Sequence, residues 1–231
     1  MNHGPLLFLG IFFATACSWY ALVFKPHLDI GRQQPVTIPE TGQIYPIARG
    51  GTAVQGLEVY RANGCAYCHT MQVRGPGFGS DIDRGWGKRP SVAQDFLYDQ
   101  RVMPGSIRIG PDLMNIGARN QSAEWHLLHL YDPQITSKGS TMPPYRYLFE
   151  RKRVGHRPSP KALKLPPEFA PEAGFEIVPT PQAEALVDYL LSLQAETSLF
   201  EAPLPPSTNA PASTASTNAV PATNAPVSTN K

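Results

Sequence analysis

Hydrophobic and polar positions divide the chain into blocks of different character. Residues 4–24, GPLLFLGIFFATACSWYALVF, form an apolar run without a charge. As a helix rising about 1.5 Å per residue it measures roughly 31 Å, close to the roughly 30 Å hydrocarbon core of a bilayer. Residues 1–24 are therefore expected to hold one transmembrane anchor, with Trp19 and Tyr20 at an interface and Lys25–Pro26 ending the helix. Residues 25–51 carry four prolines and little periodicity, which predicts an irregular linker. A helical period returns in TAVQGLEVYRANGC, where Val54, Leu57 and Tyr60 make an i, i+3, i+6 stripe, Thr52 is the expected cap and Gly64 the stop. Residues 74–90, rich in Gly and charge, read as a loop, and SVAQDFLYDQ as a helical turn capped by Ser91.

Two more helices follow from capping signals. In NQSAEWHLLHLYDP, Ser122 caps, Glu124 occupies the first turn and Pro133 marks the end. In TPQAEALVDYLLSL, Pro181 stands at the first position, and Leu186, Val187, Tyr189, Leu190 and Leu193 supply a broad apolar stripe. No run alternates convincingly as a strand. The expected fold class is all-α with long loops, spanning residues 52–198. From Glu201 onward there is no aromatic residue, and only Leu204, Val220 and Val227 are larger aliphatics. Such a stretch buries too little to offset its ordering entropy, so residues 199–231 are expected to be a disordered tail.

Composition changes this picture in few places. A chain of 231 residues accommodates one good domain, or two small ones, and a net charge of +2 selects no partner; no nucleic-acid partner is expected. Only Met1, Asn2 and His3 precede the apolar run, so it lacks the basic start of a cleaved signal; "ATAC" ending at Cys17 faintly resembles a lipoprotein processing site, but an uncleaved anchor is favoured. Of three cysteines, Cys17 lies in the anchor, which leaves Cys65 and Cys68 as a pair and no disulfide framework.

That pair sits in NGCAYCHTM, with His69 directly after Cys68. A zinc site needs two further ligands, for which His126 and His129 at i, i+3 are the available pair, but it leaves His69 unexplained. A redox dithiol belongs at a strand-to-helix junction, which this context lacks. C-x-x-C-H is itself the attachment pattern of a c-type haem: two thiols one turn apart each add across a vinyl group, and the next residue lies beneath the iron. Cys65 and Cys68 are thus expected to anchor one covalent haem c and His69 to ligate it. Helices this short also need the apolar mass of a cofactor to complete a core. Met71, Met103, Met114, Met142, His126 and His129 are candidates for the sixth ligand. Met142, in STMPPY after the Trp125 helix, has the best context, with Met103 behind it, because a following proline holds the backbone extended and the chain has room to pass round the porphyrin.

GCAYCH, IGPDLMNIGAR, the Trp125 helix and STMPPY, in that order, resemble a class I cytochrome c domain. The resemblance implies that the Pro111 carbonyl accepts a hydrogen bond from His69, and that Gly56 and Tyr60 cross Leu186 and Tyr189. The run from about Gly56 to Leu148 behind one anchor is similar to the monohaem subunit II of cbb3-type cytochrome c oxidases. That likeness implies a non-catalytic electron relay in the bacterial inner membrane, with the haem domain on the periplasmic side. The partners it implies are lipid, a haem-copper catalytic subunit, and a dihaem or soluble cytochrome c donor. The monohaem subunit of a nitric oxide reductase and a stand-alone anchored carrier are the alternatives. Arg146–Lys164 holds seven basic residues against Glu150 alone, a solvated face or a docking surface, and Arg74 and Arg119 are candidate propionate partners.

Overall fold

The computed structural model describes residues 3–31 and 33–205, so most of the expected tail, 206–231, lies outside the described residues. The apolar N-terminal run forms one helix, Gly4–Ile30, long and apolar enough to cross a membrane. It comprises α1 (Gly4–Trp19), a π-type turn (Tyr20–Phe24) and α2 (Lys25–Ile30), with no buried residue in any part. Contrary to expectation, the helix passes through Pro26. A proline ring crowds the carbonyl one turn back and lacks an N–H. The wider turn ahead of it opens the spiral, and Pro26 then occupies the first turn of α2, where no donor is missed.

The linker is more ordered than its composition suggests. Strands β1 (Val36–Thr37) and β2 (Ile44–Tyr45) pair antiparallel, Val36 opposite Tyr45. Tyr45 is buried, and its hydroxyl donates to Asp95 at 2.6 Å. Asp95 also accepts two bonds from Arg89, at 3.0 and 2.7 Å, in an ion pair with no exposed side-chain surface on either partner. Burial alone lowers the pKa of Arg89, but Asp95 and Tyr45 outweigh it and hold the guanidinium above its ordinary value. Gln94 Nε2 adds bonds to the Gln34 and Tyr45 carbonyls, at 2.9 and 3.3 Å.

Helix α3 (Gly51–Ala62) is capped by Gly50, not by Thr52, which falls inside its first turn. Its buried face is Ala53, Gly56 and Tyr60, with Leu57 partly buried, while Val54 is half exposed; the true stripe is the expected one rotated by one residue. Short α4 (Ile116–Arg119) leads to α5 (Ala123–Tyr131), where Ser122 Oγ accepts from Trp125 N at 3.1 Å as anticipated. Strands β3 (Phe149–Arg153) and β4 (Phe175–Pro179) follow, then α6 (Pro181–Ser192), capped by Thr180.

Helices α3 and α6 cross at the centre. A Cβ at Gly56 would run into the Ala185 carbonyl, so the glycine lets the two backbones meet. One turn on, Tyr60 and Tyr189 pack edge to face, centroids 5.5 Å apart. Leu130, Leu148, Leu186 and Leu190 fill the space between α5, α6 and β3.

The all-α expectation is corrected by the two small sheets. Strand β3 pairs with β4 over five residues, Phe149 opposite Pro179 and Arg153 opposite Phe175. Its sequence, FERKR, buries only Phe149 and shows solvent the rest, so no alternation betrays it. It forms because β4, FEIVP, needs a partner while burying Ile177 and Val178.

Candidate functional site

The Cys65–His69 cluster starts where α3 stops. Asn63 caps the helix, Gly64 turns the chain at φ +67°, and Cys65–Tyr67 make one 3₁₀ turn. The amides of Cys68 and His69 both donate to the Cys65 carbonyl, at 3.1 and 3.0 Å, which fixes the two cysteines one turn apart. Both are free thiols. Burial pushes the Cys65 thiol up to about 11, so it carries its proton at neutral pH.

His69 is oriented by the loop before α4. Its Nδ1 lies 2.8 Å from the Pro111 carbonyl, and because a carbonyl only accepts, Nδ1 carries the proton and Nε2 keeps the lone pair. Burial lowers its basicity against the opposing pull of that bond, which keeps the ring neutral. A Cβ at Gly110 would lie 2.7 Å from Nδ1 and 2.9 Å from Nε2, so glycine is needed for this approach.

Two loops are laced together to hold that pair. Gly110 N donates to Cys68 O, Leu113 N to Thr70 O and Met71 N to Pro104 O, at 2.8–2.9 Å. Asp112, with no exposed surface, accepts from Thr70 Oγ1 at 2.6 Å, Gln72 N at 2.8 Å and Met114 N at 2.9 Å. Arg108 donates to both oxygens of Asp81, at 2.6 and 2.7 Å, and to Thr70 Oγ1 at 2.7 Å. This lattice escaped sequence reasoning; the polar residues of GPDL and the Gly-rich loop were its only signal.

Cys65, Cys68, His69, Pro111 and Met142 all line one cavity of about 510 Å³, within the roughly 300–1,000 Å³ range of cofactor pockets. Leu113, Ile116, Leu186 and Leu190 give it apolar walls. Among the described residues Met142 is the methionine in this lining. Met71 is buried elsewhere and accepts from Tyr189 Oη at 3.3 Å; Met103 packs against the core; Met114 faces another hollow. His126 and His129 also line the cavity. His126 Nε2 donates to the Asn120 carbonyl at 3.0 Å, and His129 stacks on Trp125 with Nδ1 2.5 Å from Thr136 Oγ1. The donor set and apolar walls suit a haem. The buried Tyr60 hydroxyl, a lining group without a partner among the described residues, is a polar atom that such an occupant's anchorage can satisfy.

Other expectations fare differently. Arg74 and Arg119 are absent from the lining; Arg119 donates to the Asp112 carbonyl. The basic segment is largely neutralised: Arg146 pairs with Asp132, Arg151 with Glu172, Lys152 with Glu150, Lys161 with Glu184 and Lys164 with Glu124. A second hollow of about 670 Å³ lies between the linker and the end of α6, its charges paired as Arg49–Asp99 and Lys88–Glu196.

No curated protein matches the chain. The family described as cytochrome C oxidase, mono-heme subunit/FixO matches residues 36–165, more than half of the sequence and all of the segment that holds the two cysteines, His69, Pro111 and Met142. The chain therefore belongs to the mono-haem subunit, or FixO, family of cytochrome c oxidase.

Proposed function

We propose that the chain carries one covalent haem c and relays electrons to the catalytic subunit of a cbb3-type haem-copper oxidase. The observation that carries this reading is the convergence of Cys65, Cys68, His69 and Met142 on one apolar cavity, with His69 Nδ1 already tied to the Pro111 carbonyl. When bound, haem c supplies a reversible one-electron iron couple, and a His/Met pair of ligands raises its potential. The two thiols anchor, His69 presents Nε2, Met142 presents its thioether, and the Pro111 bond strengthens the imidazole as a donor. The leucine and isoleucine walls exclude water. With His69 and Met142 both available to hold the iron, the group would supply electron transfer alone, and the subunit would need no substrate pocket.

In this reading residues 52–198 are the haem domain, 25–51 the linker and 1–24 the anchor. The helix Gly4–Ile30 holds the chain in the bacterial inner membrane among lipid, with the haem domain outside, where haem c is attached. A dihaem or soluble cytochrome c is the donor. The match to an oxidase family favours this over a nitric oxide reductase subunit. Purifying the native complex from membranes and assaying its metals tests the assignment: copper in the large subunit is expected, and nonhaem iron without copper overturns it. Met142→Ala should abolish the near-infrared band of methionine-ligated ferric haem; a surviving band removes Met142 from the ligand set.

A further inference from the structure

Met142 sits on a loop that is fixed at both ends. Ser137 N donates to the Pro133 carbonyl and Tyr145 N to the Leu130 carbonyl, each at 2.9 Å. Between those points the backbone has little to hold it. Pro143 and Pro144 have no N–H to donate. Ser140 N and Met142 N make only local bonds, to Ser137 O at 3.1 Å and to Ser140 Oγ at 3.3 Å.

One side chain reaches across to this loop. Gln134 Nε2 donates to the Ser140 carbonyl at 2.6 Å, and Gln134 Oε1 accepts from Gly139 N at 2.9 Å. Among the described residues, these are the hydrogen bonds that join residues 138–144 to the chain before Ser137 or after Pro144. A primary amide suits the task, because it donates at one end and accepts at the other. Gln134 is itself braced from behind: its backbone N donates to Asp132 Oδ1 at 3.1 Å, and Asp132 Oδ2 accepts from Arg146 at 2.5 Å. The brace therefore runs from the end of α5 to a turn two residues ahead of Met142. The Gln134 residue is exposed and its side chain makes no other hydrogen bond among the described residues, so its removal leaves the core and the seat of His69 alone.

We propose that Gln134 is the positioning residue for Met142, its amide latching the loop so that the thioether stays in the cavity and shuts that side to outside ligands. The inference rests on Met142 as a ligand and adds the group that keeps it in place.

The experiment is a titration of the ferric holoprotein in detergent with imidazole, which competes for the position Met142 holds, followed by loss of the near-infrared methionine band; haem attachment is checked by mass. Each hydrogen bond is worth roughly two- to tenfold in an equilibrium constant. Gln134→Ala loses two, which should raise the apparent imidazole affinity by roughly four- to a hundredfold, through a larger share of chains with Met142 released. Gln134→Glu keeps an acceptor for Gly139 N but loses the donor to Ser140, and should also raise it. Gln194→Ala removes another exposed glutamine, one that bonds the Leu191 carbonyl at 3.0 Å outside the cavity lining, and should leave the affinity in place. An unchanged affinity in both Gln134 variants, with haem attached and the band present, overturns this inference alone. An equal rise in Gln194→Ala also overturns it, as a mark of general loosening. A band that survives in Met142→Ala overturns both this and the ligand reading beneath it.

Discussion

Gly110→Ala replaces a hydrogen with a methyl group directly against the His69 ring. The new Cβ would stand 2.2 Å from Cε1, 2.7 Å from Nδ1 and 2.9 Å from Nε2, where ordinary contact is about 3.5 Å or more. The neighbour is a ring, with no flexible end to swing aside, so it must retreat by roughly 1.3 Å. A retreat of that size takes Nδ1 out of hydrogen-bond reach of the Pro111 carbonyl, now 2.8 Å away. Overpacking of this kind costs about 1–3 kcal/mol, and the lost bond about 0.5–1.5 kcal/mol more. The expected destabilisation is therefore about 2–4 kcal/mol. It is read from urea unfolding of the full chain in detergent, followed by tryptophan fluorescence. Gly155→Ala is the control, since a Cβ there meets nothing closer than 4.0 Å and the change should stay within about 0.5 kcal/mol. In the holoprotein, Gly110→Ala should also diminish the methionine–haem band, because the imidazole is no longer held. If Gly110→Ala unfolds like the wild type and keeps the same spectrum, the tight seating of His69 is wrong.

Two further outcomes are expected. Asp95→Ala strands the buried Arg89 guanidinium and should cost about 3–5 kcal/mol, whereas Asp95→Leu combined with Arg89→Met should recover much of that loss; an additive double variant refutes the pairing. His129 is pushed down to about 4 by burial first and then by His69 and His126, so it is neutral when folded. The unfolded chain, with an ordinary histidine near 6.5, takes up its proton first, and stability should fall as pH drops from about 6.5 towards 4, by on the order of 2–3 kcal/mol. His129→Phe should flatten that acid limb in chemical-denaturation curves, and an unchanged limb contradicts the assignment.

Much of the site was legible because its residues are neighbours in sequence or follow local rules. Cys65, Cys68 and His69 are separated by one turn, and Ser122 and Thr180 announce their helices by chemistry confined to four residues. The place of Met142 in the cavity lining was legible from the prolines behind it and its position after α5. What stayed hidden depends on long-range pairing. Arg108 meets Asp81 across 27 positions and Tyr45 meets Asp95 across 50, and no periodicity encodes either. Strand β3 is invisible for a related reason, since its partner supplies the apolar side chains. The α3 stripe was misread by one residue because Ala53 and Gly56, too small to score as apolar, are the positions buried at the α6 crossing. Tyr60 reads as a packing residue, and no periodicity announces its buried hydroxyl, which has no partner among the described residues.

The docking of Tyr45 onto Arg89 and Asp95 also sets the length of the leash. A free linker from residue 31 to residue 50 would let the domain wander up to about 70 Å from the helix end, at roughly 3.5 Å per residue. Gln34 is already bonded to Gln94, so only residues 31–34 remain between Ile30 and the first fixed point, a reach of at most about 14 Å. The volume the domain can sweep shrinks with the cube of that reach. Shortening it fivefold raises the effective concentration of domain and membrane-bound partner by on the order of a hundredfold.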